Sequence, residues 1–265
     1  MHDALRRLGR GFLTEIRRVV SYATLTVLTV GAALRPSRHA RSVVWTQAAR
    51  QIVFTGVEAV PLVAFLGAVG SAVFATMAFT FFSGAEENKM VIDILARLLV
   101  REVAPLSTAV VVALRSGAAI TVELGSMSAR GEVEGIETVG IDPIRWLLLP
   151  RFIGMAVATV ALTLVFVASV FAGAFAAAVH EGALPLQLRP ALPYLFALQP
   201  LDIGLALAKA GLFGIVSAAI ACYHGLSVRG DVTEIPRRVA RALVEILIHC
   251  SALAAVFALL ALSLQ

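Results

Sequence analysis

The chain has 265 residues, of which 59% are hydrophobic and 15% charged, and its mean hydropathy is +0.90. Because soluble domains are about 45 to 50% apolar and about 25% charged, this composition excludes an ordinary soluble protein and indicates a multi-pass membrane protein. The net charge of +5 comes mainly from arginines at the ends of apolar segments, which is typical of membrane-protein loops and argues against a nucleic-acid partner.

Residues 4–34 are predicted to form an amphipathic helix that lies on the membrane surface. Apolar residues recur there at spacings of three and four, and arginines occupy the other side. The uncharged part, residues 21–34, is too short to cross a bilayer. A signal peptide is the alternative, but cleavage after the small residues 31–33 would export the arginines of residues 35–50.

Five apolar segments follow, and each is long enough to cross about 30 Å of hydrocarbon as a helix. The predicted spans are residues 52–82, 91–124, 152–179, 203–226 and 242–264. The chain therefore divides into an interfacial helix with a linker, residues 1–50, and an all-α membrane domain of five spans, residues 51–265.

The arginines of the connecting segments predict the orientation of these spans. Residues 1–50 hold nine arginines, 125–151 hold three and 227–241 hold four, whereas 83–90 and 180–200 hold one basic residue each. Because cytoplasmic loops carry the excess of Lys and Arg, the amino terminus is predicted to be cytoplasmic and the carboxyl terminus to lie outside.

Span two holds charges that a purely anchoring helix would not carry. On an ideal helix, Arg97, Arg101, Thr108 and Arg115 fall within about 40° of one another and form a polar stripe. An ionisable group in mid-bilayer costs about 2.5 to 3.5 kcal/mol on insertion scales, so the stripe should face a partner helix, a cavity or a translocated substrate. Glu58 of span one, in contrast, is expected to be solvated near the inner face.

The pair Arg101 and Glu102 is followed by Pro105, which removes a backbone donor and disturbs the helix. One interpretation is a buried ion pair that holds span two to a neighbour, and the other is the polar wall of a pocket that opens outward. Lys209, seven residues into span four, either extends to the outer surface or supplies a cation for an anionic headgroup.

The inner loop after span two is unusually acidic and can hold a short helix. Its acidic residues are Glu132, Glu134, Glu137 and Asp142. Its apolar residues available for docking are Met127, Val133, Ile136 and Val139. Asp142 and Pro143 provide a helix N-cap and a favourable first helical residue. The loop is either simply solvated or a docking helix for a basic cytoplasmic partner.

The sequence holds no motif for catalysis, ATP hydrolysis or metal binding. Neither lysine lies in a phosphate-binding loop, and no G-x-S-x-G or H-E-x-x-H element is present. Cys222 and Cys250 lie in apolar segments without a metal-type spacing, and His224 and His249 have no partner spacing, so all four are expected to be packing residues.

Several short motifs resemble those of the MlaE (YrbE) permease family in order and spacing. The motifs are REVAP at residues 101–105, RSGAA at 115–119, TVELGSM at 121–127, GIDP at 140–143 and PRF at 150–152. The positions that carry the resemblance include Pro105, Arg115, Gly117, Glu123, Gly125 and Pro143. The chain departs from the family pattern at Leu114, where relatives commonly have Gly, and at residues 231–238, which replace a Gly-rich stretch.

This resemblance implies the permease subunit of an ABC transporter that moves phospholipid between the bacterial inner membrane and a periplasmic carrier built of MCE domains. It further implies a homodimer, an ATPase dimer docked on the loop after span two, an MCE oligomer and a small accessory protein of the STAS type. ATP and Mg²⁺ would be held by the ATPase, and this chain would bind no cofactor. By the resemblance, Arg101, Glu102 and Lys209 lie at the lipid pocket, and Arg97 joins them through the stripe of span two.

Two other functions are consistent with the residues alone. A stand-alone secondary transporter could use the charges of span two as a relay, although such carriers are usually built from repeated halves, which five spans do not provide. A structural anchor could simply hold an ATPase and an MCE assembly together in the membrane.

Overall fold

The computed structural model describes residues 2–34, 38–81, 97–180 and 200–263, and over these ranges the backbone is almost entirely helical. The α-helices are α1 (His2–Leu34), α2 (Arg38–Thr55), α3 (Val60–Phe81), α4 (Ala104–Val112), α5 (Ala118–Ala129), α6 (Glu132–Thr138), α7 (Leu149–His180), α8 (Pro200–Leu226) and α9 (Ile235–Ser263). Single 3₁₀ turns lie at Val57–Ala59 and Val232–Glu234, and π-helical turns lie at Leu99–Val103, Ala113–Gly117 and Ile144–Leu148. The predicted all-α fold is confirmed. Residues 82–96 and 181–199, where the prediction places the start of span two and the outer loop, lie outside the described residues.

Among the described residues, five helical segments are long and apolar enough to cross a membrane, as predicted. Span one is Val44–Phe74, span two Leu99–Ala129, span three Ile144–Ala177, span four Asp202–Leu226 and span five Val232–Leu260. Spans one, three and five begin eight to ten residues before their predicted starts, which follow Arg50, Arg151 and Arg241. A long arginine at a span end buries its alkyl stem and keeps its guanidinium at the headgroups, so it does not end the helix.

Contacts between the spans fix their relative directions. Spans two and four run parallel, because Arg101 lies beside Asp202 at one end and Leu124 lies beside Gly225 at the other. Span three runs antiparallel to both. One end of the bundle therefore collects α6 and the arginine-bearing ends of the spans, and we call it the Arg-rich side. The opposite end, which holds Asp202, is the Arg-poor side.

At the centre of the bundle, the backbones of neighbouring spans approach one another closely. A Cβ added to Gly214 of span four would lie 2.7 Å from the Cα of Ala156 in span three, and one on Gly225 would lie 2.7 Å from the Cβ of Leu124. Small residues at such crossings let membrane helices pack at short distance. Spans two and four are the most buried segments, whereas spans one and five leave most of their apolar side chains exposed or partly exposed.

Helix α1 packs against spans three and four and the turn that begins span three. Its Tyr22 is 6% exposed and its Thr29 1% exposed, although both belong to a helix with many exposed neighbours. One face of α1 is therefore part of the protein core. Its predicted position on the membrane surface stays a prediction.

Candidate functional site

Two ion pairs join spans two and four near the Arg-poor side. The carboxylate of Glu102 contacts the ammonium of Lys209, and Nη1 of Arg101 lies 3.5 Å from Oδ1 of Asp202. The side chain of Lys209 is 3% exposed, whereas those of Arg101 and Glu102 are 20% and 21% exposed. We call Arg101, Glu102, Asp202 and Lys209 the outer cluster.

Pro105 explains how the backbone takes part in this cluster. In a regular helix the carbonyl oxygen of Arg101 would accept from the N–H of residue 105, which proline lacks. The chain forms a π-helical turn at Leu99–Val103, and Nζ of Lys209 donates to the Arg101 carbonyl oxygen at 3.4 Å. The predicted disturbance at Pro105 is therefore present, and Lys209 supplies the missing donor.

Span five closes the cluster on a third side. Nζ of Lys209 lies 5.5 Å from the ring centroid of Phe257, within the range of a cation–π interaction. Lys209 thus contacts groups from spans two and five while it belongs to span four. This position excludes the alternative in which its side chain extends to the outer surface.

The structure brings Arg101, Glu102 and Lys209 together with Asp202, which sequence reasoning did not assign, and their position at a lipid pocket stays a prediction. A usable signal for Asp202 was its spacing of seven residues from Lys209, which places both on one face of span four. Arg97 lies one turn before Arg101, where the described part of this segment begins.

The predicted continuous stripe along span two is wrong. Arg101 faces span four, but Thr108 is buried against Thr163 of span three, with 2.8 Å between their hydroxyl oxygens, and Arg115 pairs with Glu58 of span one. The π-helical turns at Leu99–Val103 and Ala113–Gly117 each add a residue to a turn and change the direction of the side chains that follow.

The pair of Glu58 and Arg115 lies half-way along its helices, since Glu58 is 14 residues after Val44 and Arg115 is 14 residues before Ala129. The guanidinium of Arg115 also lies 5.6 Å from the ring centroid of Phe54. The side chains of Arg115 and Glu58 are 32% and 53% exposed. Glu58 is therefore ion-paired at mid-span, not solvated near one face as expected.

The remaining motif residues join span two to span three, to span five and to the segment after span four. Nη2 of Arg151 lies 2.7 Å from Oε1 of Glu123, and the Arg151 side chain is 10% exposed. A Cβ on Gly125 would lie 3.2 Å from Cγ2 of Val228, and one on Gly117 would lie 3.2 Å from Cδ1 of Ile246. These glycines therefore serve close packing.

The acidic loop forms the predicted short helix, α6. Its carboxylates are exposed, as are Asp142 and Val139. The backbone N–H of Ile144 donates to Oδ1 of Asp142 at 3.0 Å, which confirms the predicted cap ahead of Pro143 and span three. Three of the four apolar residues expected to dock a partner, Met127, Val133 and Ile136, pack instead against the core of this chain.

A second polar network, which sequence reasoning missed, attaches α1 to spans four and five. Glu245 accepts hydrogen bonds from the hydroxyl of Tyr22 and from Arg18, at 2.9 Å for Arg18 Nη1, and its Oε2 lies 3.0 Å from Nε2 of His224. Burial, followed by the hydrogen bond to Glu245, raises the pKa of Tyr22 well above its usual value, so the phenol stays protonated and donates. We call these four residues the α1 cluster. The only sequence signal was Glu245 inside an apolar span.

Within the described residues, no group of three or more His, Cys, Asp and Glu side chains is placed to hold a metal ion. Every charged contact of the outer cluster joins one protein group to another. The chemistry available there is the binding of a charged group, with Lys209 and Arg101 as donors and Glu102 and Asp202 as acceptors.

Comparison with known proteins identifies the fold family. The family model "Permease MlaE" matches residues 48–260. The chain belongs to the MlaE permease family. This membership agrees with the arrangement of its signature residues, since Glu123 and Arg151 come from two separate motifs and meet in space.

Individual relatives agree with this assignment. A probable ABC transporter permease of Rickettsia felis is 27% identical over 219 residues, which cover 82% of each chain. The chloroplast protein Trigalactosyldiacylglycerol 1 of Arabidopsis thaliana is 31% identical over 66% of this chain and 51% of its own length. The intermembrane phospholipid transport system permease MlaE of Haemophilus influenzae is 34% identical over 76 residues, 29% of each chain. This MlaE-family protein is therefore a multi-pass ABC transporter permease, the non-catalytic membrane component.

Proposed function

We propose that this permease moves phospholipid between the bacterial inner membrane and a periplasmic MCE-domain carrier, and that the headgroup binds at the outer cluster. The observation that carries the proposal is the burial of Lys209, 3% exposed, beside two partly exposed charged side chains at the Arg-poor side. The relative from Haemophilus influenzae, which is named as a phospholipid transport permease, supports the choice of cargo.

The outer cluster suits exchange of one charged partner for another. A headgroup phosphate can take the place of the Glu102 carboxylate beside Lys209 or of the Asp202 carboxylate beside Arg101, so that no cation is left buried without a counter-charge. Arg101 and Glu102, each about one-fifth exposed, are the side from which a ligand enters. Acyl chains would lie on apolar surfaces of spans one and five, which are open in the single chain.

Coupling to ATP requires that two states of the permease bind lipid with different affinities. We infer that α6, with exposed Glu132, Glu134 and Glu137, docks the cytoplasmic ATPase dimer, which binds ATP and Mg²⁺. Helix α6 adjoins span two, whose other end carries Arg101 and Glu102, so movement of α6 can change the exposure of the outer cluster.

The other partners follow from the predicted orientation. The Arg-rich side would face the cytoplasm, and the MCE oligomer would meet the Arg-poor side. The exposed apolar side chains of span five supply a surface for a second copy of the chain, and they include Val244, Ile248, Val256, Leu259 and Leu260. A STAS-type accessory protein stays a prediction from the resemblance.

Photocrosslinking in the assembled complex tests the pocket. A benzoylphenylalanine at position 101 is expected to capture phospholipid, and the yield should fall when the ATPase is trapped with nucleotide. The control is the same group at Leu164, which is 47% exposed on span three and should label bulk lipid equally in both states. Equal and nucleotide-independent labelling at both positions would reject the pocket.

A structural anchor is the second candidate, because the four charged side chains of the outer cluster form ion pairs with one another. In that case Glu102→Gln, in an assembled complex, leaves lipid movement unchanged. A secondary transporter would move lipid without any ATPase, and membership in a family of ABC permeases argues against it.

A further inference from the structure

Two adjoining clefts lie at the Arg-rich side, and neither belongs to the outer cluster. One, of about 700 Å³, follows the surface of span one, and the other, of about 600 Å³, lies between spans one, two and three. Arg50 and Phe54 line both, so the two are continuous. We call the combined space the Trp cleft, because Trp45 lines its first part and Trp146 its second. Its volume is in the range of small-molecule sites.

The depth of the second part follows from its position along the helices. Its lining residues lie within ten residues of the Arg-rich ends of spans one, two and three, or within about 15 Å at 1.5 Å per residue. A span of 31 residues is about 46 Å long and extends about 8 Å beyond each face of a 30 Å hydrocarbon layer. This part of the Trp cleft therefore lies at the boundary between lipid headgroups and acyl chains.

The two tryptophans agree with this depth. The chain has only Trp45 and Trp146, and both line the cleft. Tryptophan is enriched at membrane interfaces because its ring is apolar and its indole N–H is polar. Two independent features, helix position and aromatic placement, thus put the second part of the cleft and the Trp45 end of the first part at the level of phospholipid headgroups.

The charges of the cleft leave one cation available. The carboxylate of Glu58 is paired with Arg115, and that of Glu123 is paired with Arg151. Arg50 is exposed and forms no ion pair with the part of the chain that the structure describes. With Arg50 unpaired among the described residues, the cleft carries an excess of one positive charge. The amides of Gln47 and Gln51 add hydrogen-bonding groups on the same helix as Arg50.

The rest of the lining is apolar. Val53 and Phe54 continue from Arg50 along span one toward the membrane centre, and Phe54 turns one ring face to the Arg115 guanidinium. A cation at headgroup level above an apolar groove fits a phospholipid, and the unbalanced positive charge favours a headgroup with a net negative charge.

We propose that the Trp cleft binds an anionic phospholipid of the leaflet on the Arg-rich side, with the phosphate on Arg50 and an acyl chain along Val53 and Phe54. The site is separate from the outer cluster, which lies at the other end of span two. It holds lipid whether or not the protein transports lipid, so its test is independent of the proposed function.

Tryptophan fluorescence of the full chain provides a local readout, because both tryptophans lie in the cleft. The chain is reconstituted without its ATPase in nanodiscs of phosphatidylcholine that contain a small, fixed fraction of brominated phosphatidylglycerol or brominated phosphatidylcholine. Bromine quenches only nearby indole rings. Brominated phosphatidylglycerol should therefore quench several-fold more strongly than brominated phosphatidylcholine. Arg50→Gln should reduce this preference about two- to fivefold, the value of one exposed ion pair.

Matched variants make the result specific. Arg237→Gln removes an equally exposed arginine at the start of span five and should leave the preference unchanged. The single variants Trp45→Phe and Trp146→Phe each leave one tryptophan. The fluorescence of the remaining tryptophan reports its own part of the cleft. Their emission without quencher checks that each variant is folded.

Four results would overturn the assignment. Equal quenching by both brominated lipids excludes a lipid preference, and an equal loss in Arg50→Gln and Arg237→Gln indicates only general surface attraction. Stronger quenching by brominated phosphatidylethanolamine than by phosphatidylglycerol excludes the anionic choice. Relief of quenching by added inorganic phosphate, at unchanged lipid composition, makes the cleft a site for free phosphate.

Discussion

The ammonium of Lys209 donates to the backbone carbonyl oxygen of Arg101 at 3.4 Å while it pairs with Glu102. One buried cation thereby satisfies a side chain and a backbone acceptor of the neighbouring helix. Lys209→Met should lower the free energy of unfolding by about 3 kcal/mol, because Glu102 and the carbonyl lose their partner. Thermal unfolding of the permease in nanodiscs measures this loss. The double variant with Glu102→Leu should recover most of it, and strictly additive losses would contradict the coupling.

Pro105 is the reason that the Arg101 carbonyl needs an outside donor. Pro105→Ala supplies a backbone N–H, so the carbonyl can be satisfied within span two. The destabilisation caused by Lys209→Met should then be about 1 kcal/mol smaller in the Pro105→Ala background, the net value of one hydrogen bond. Unfolding of the two single variants and the double variant gives this coupling energy. A coupling near zero would show that the carbonyl is satisfied without Lys209.

The pair of Glu123 and Arg151 should respond unequally to mutation, because Arg151 is 10% exposed and Glu123 is 58% exposed. Glu123→Gln keeps a hydrogen-bonding group at an exposed position and should cost less than about 1 kcal/mol. Arg151→Met should cost more, because its guanidinium also donates to the carbonyl oxygen of Leu147 at 2.5 Å. Unfolding temperatures of both variants test the asymmetry, and a larger effect of Glu123→Gln would disprove it.

The number of spans and the presence of α1 were predictable because they depend on local composition. Length, hydropathy and amphipathic spacing are read within one segment, and they do not require knowledge of the partners. The same holds for the Asp142 cap, which is a contact between residues two positions apart. These predictions depend on interactions between residues that are close in the sequence.

The direction of the charged side chains was not predictable in the same way. The stripe of span two assumed 100° per residue, and the two π-helical turns break that periodicity around Arg101 and Arg115. The α1 cluster joins Tyr22 to Glu245, which are 223 residues apart, so no local pattern links them. Tertiary contacts decide both features, and only the polar residue types in apolar segments gave a signal.

The α1 cluster should hold α1 in place until Tyr22 loses its proton. Because the folded-state pKa of Tyr22 is raised above the ordinary value of about 10, its contribution to stability is complete below that pH and is lost as the pH rises above it. Limited proteolysis of α1 should therefore accelerate above about pH 10 in the native protein. In Tyr22→Phe, proteolysis at neutral pH should be faster than in the native protein, since the hydrogen bond to Glu245 is gone. The increase in proteolysis at high pH should be smaller than in the native protein. Tyr223→Phe is the control and should keep the native pH profile. The same pH profile in Tyr223→Phe as in Tyr22→Phe would contradict the role of Tyr22.

Spans two and four should tolerate no added carbon at Gly225, whose Cβ would lie 2.7 Å from the Cβ of Leu124. The obstacle is itself a Cβ, so a rotamer change cannot relieve it, and the helices must separate. Gly225→Ala should therefore destabilise the permease by about 1 to 3 kcal/mol. Gly204→Ala in the same span is the matched control, because nothing lies within 4 Å of its added Cβ, and the better helix propensity of alanine should stabilise by up to about 1 kcal/mol. Unfolding of both variants in nanodiscs distinguishes the two sites, and equal effects would show that the approach of span four to span two is looser than 2.7 Å implies.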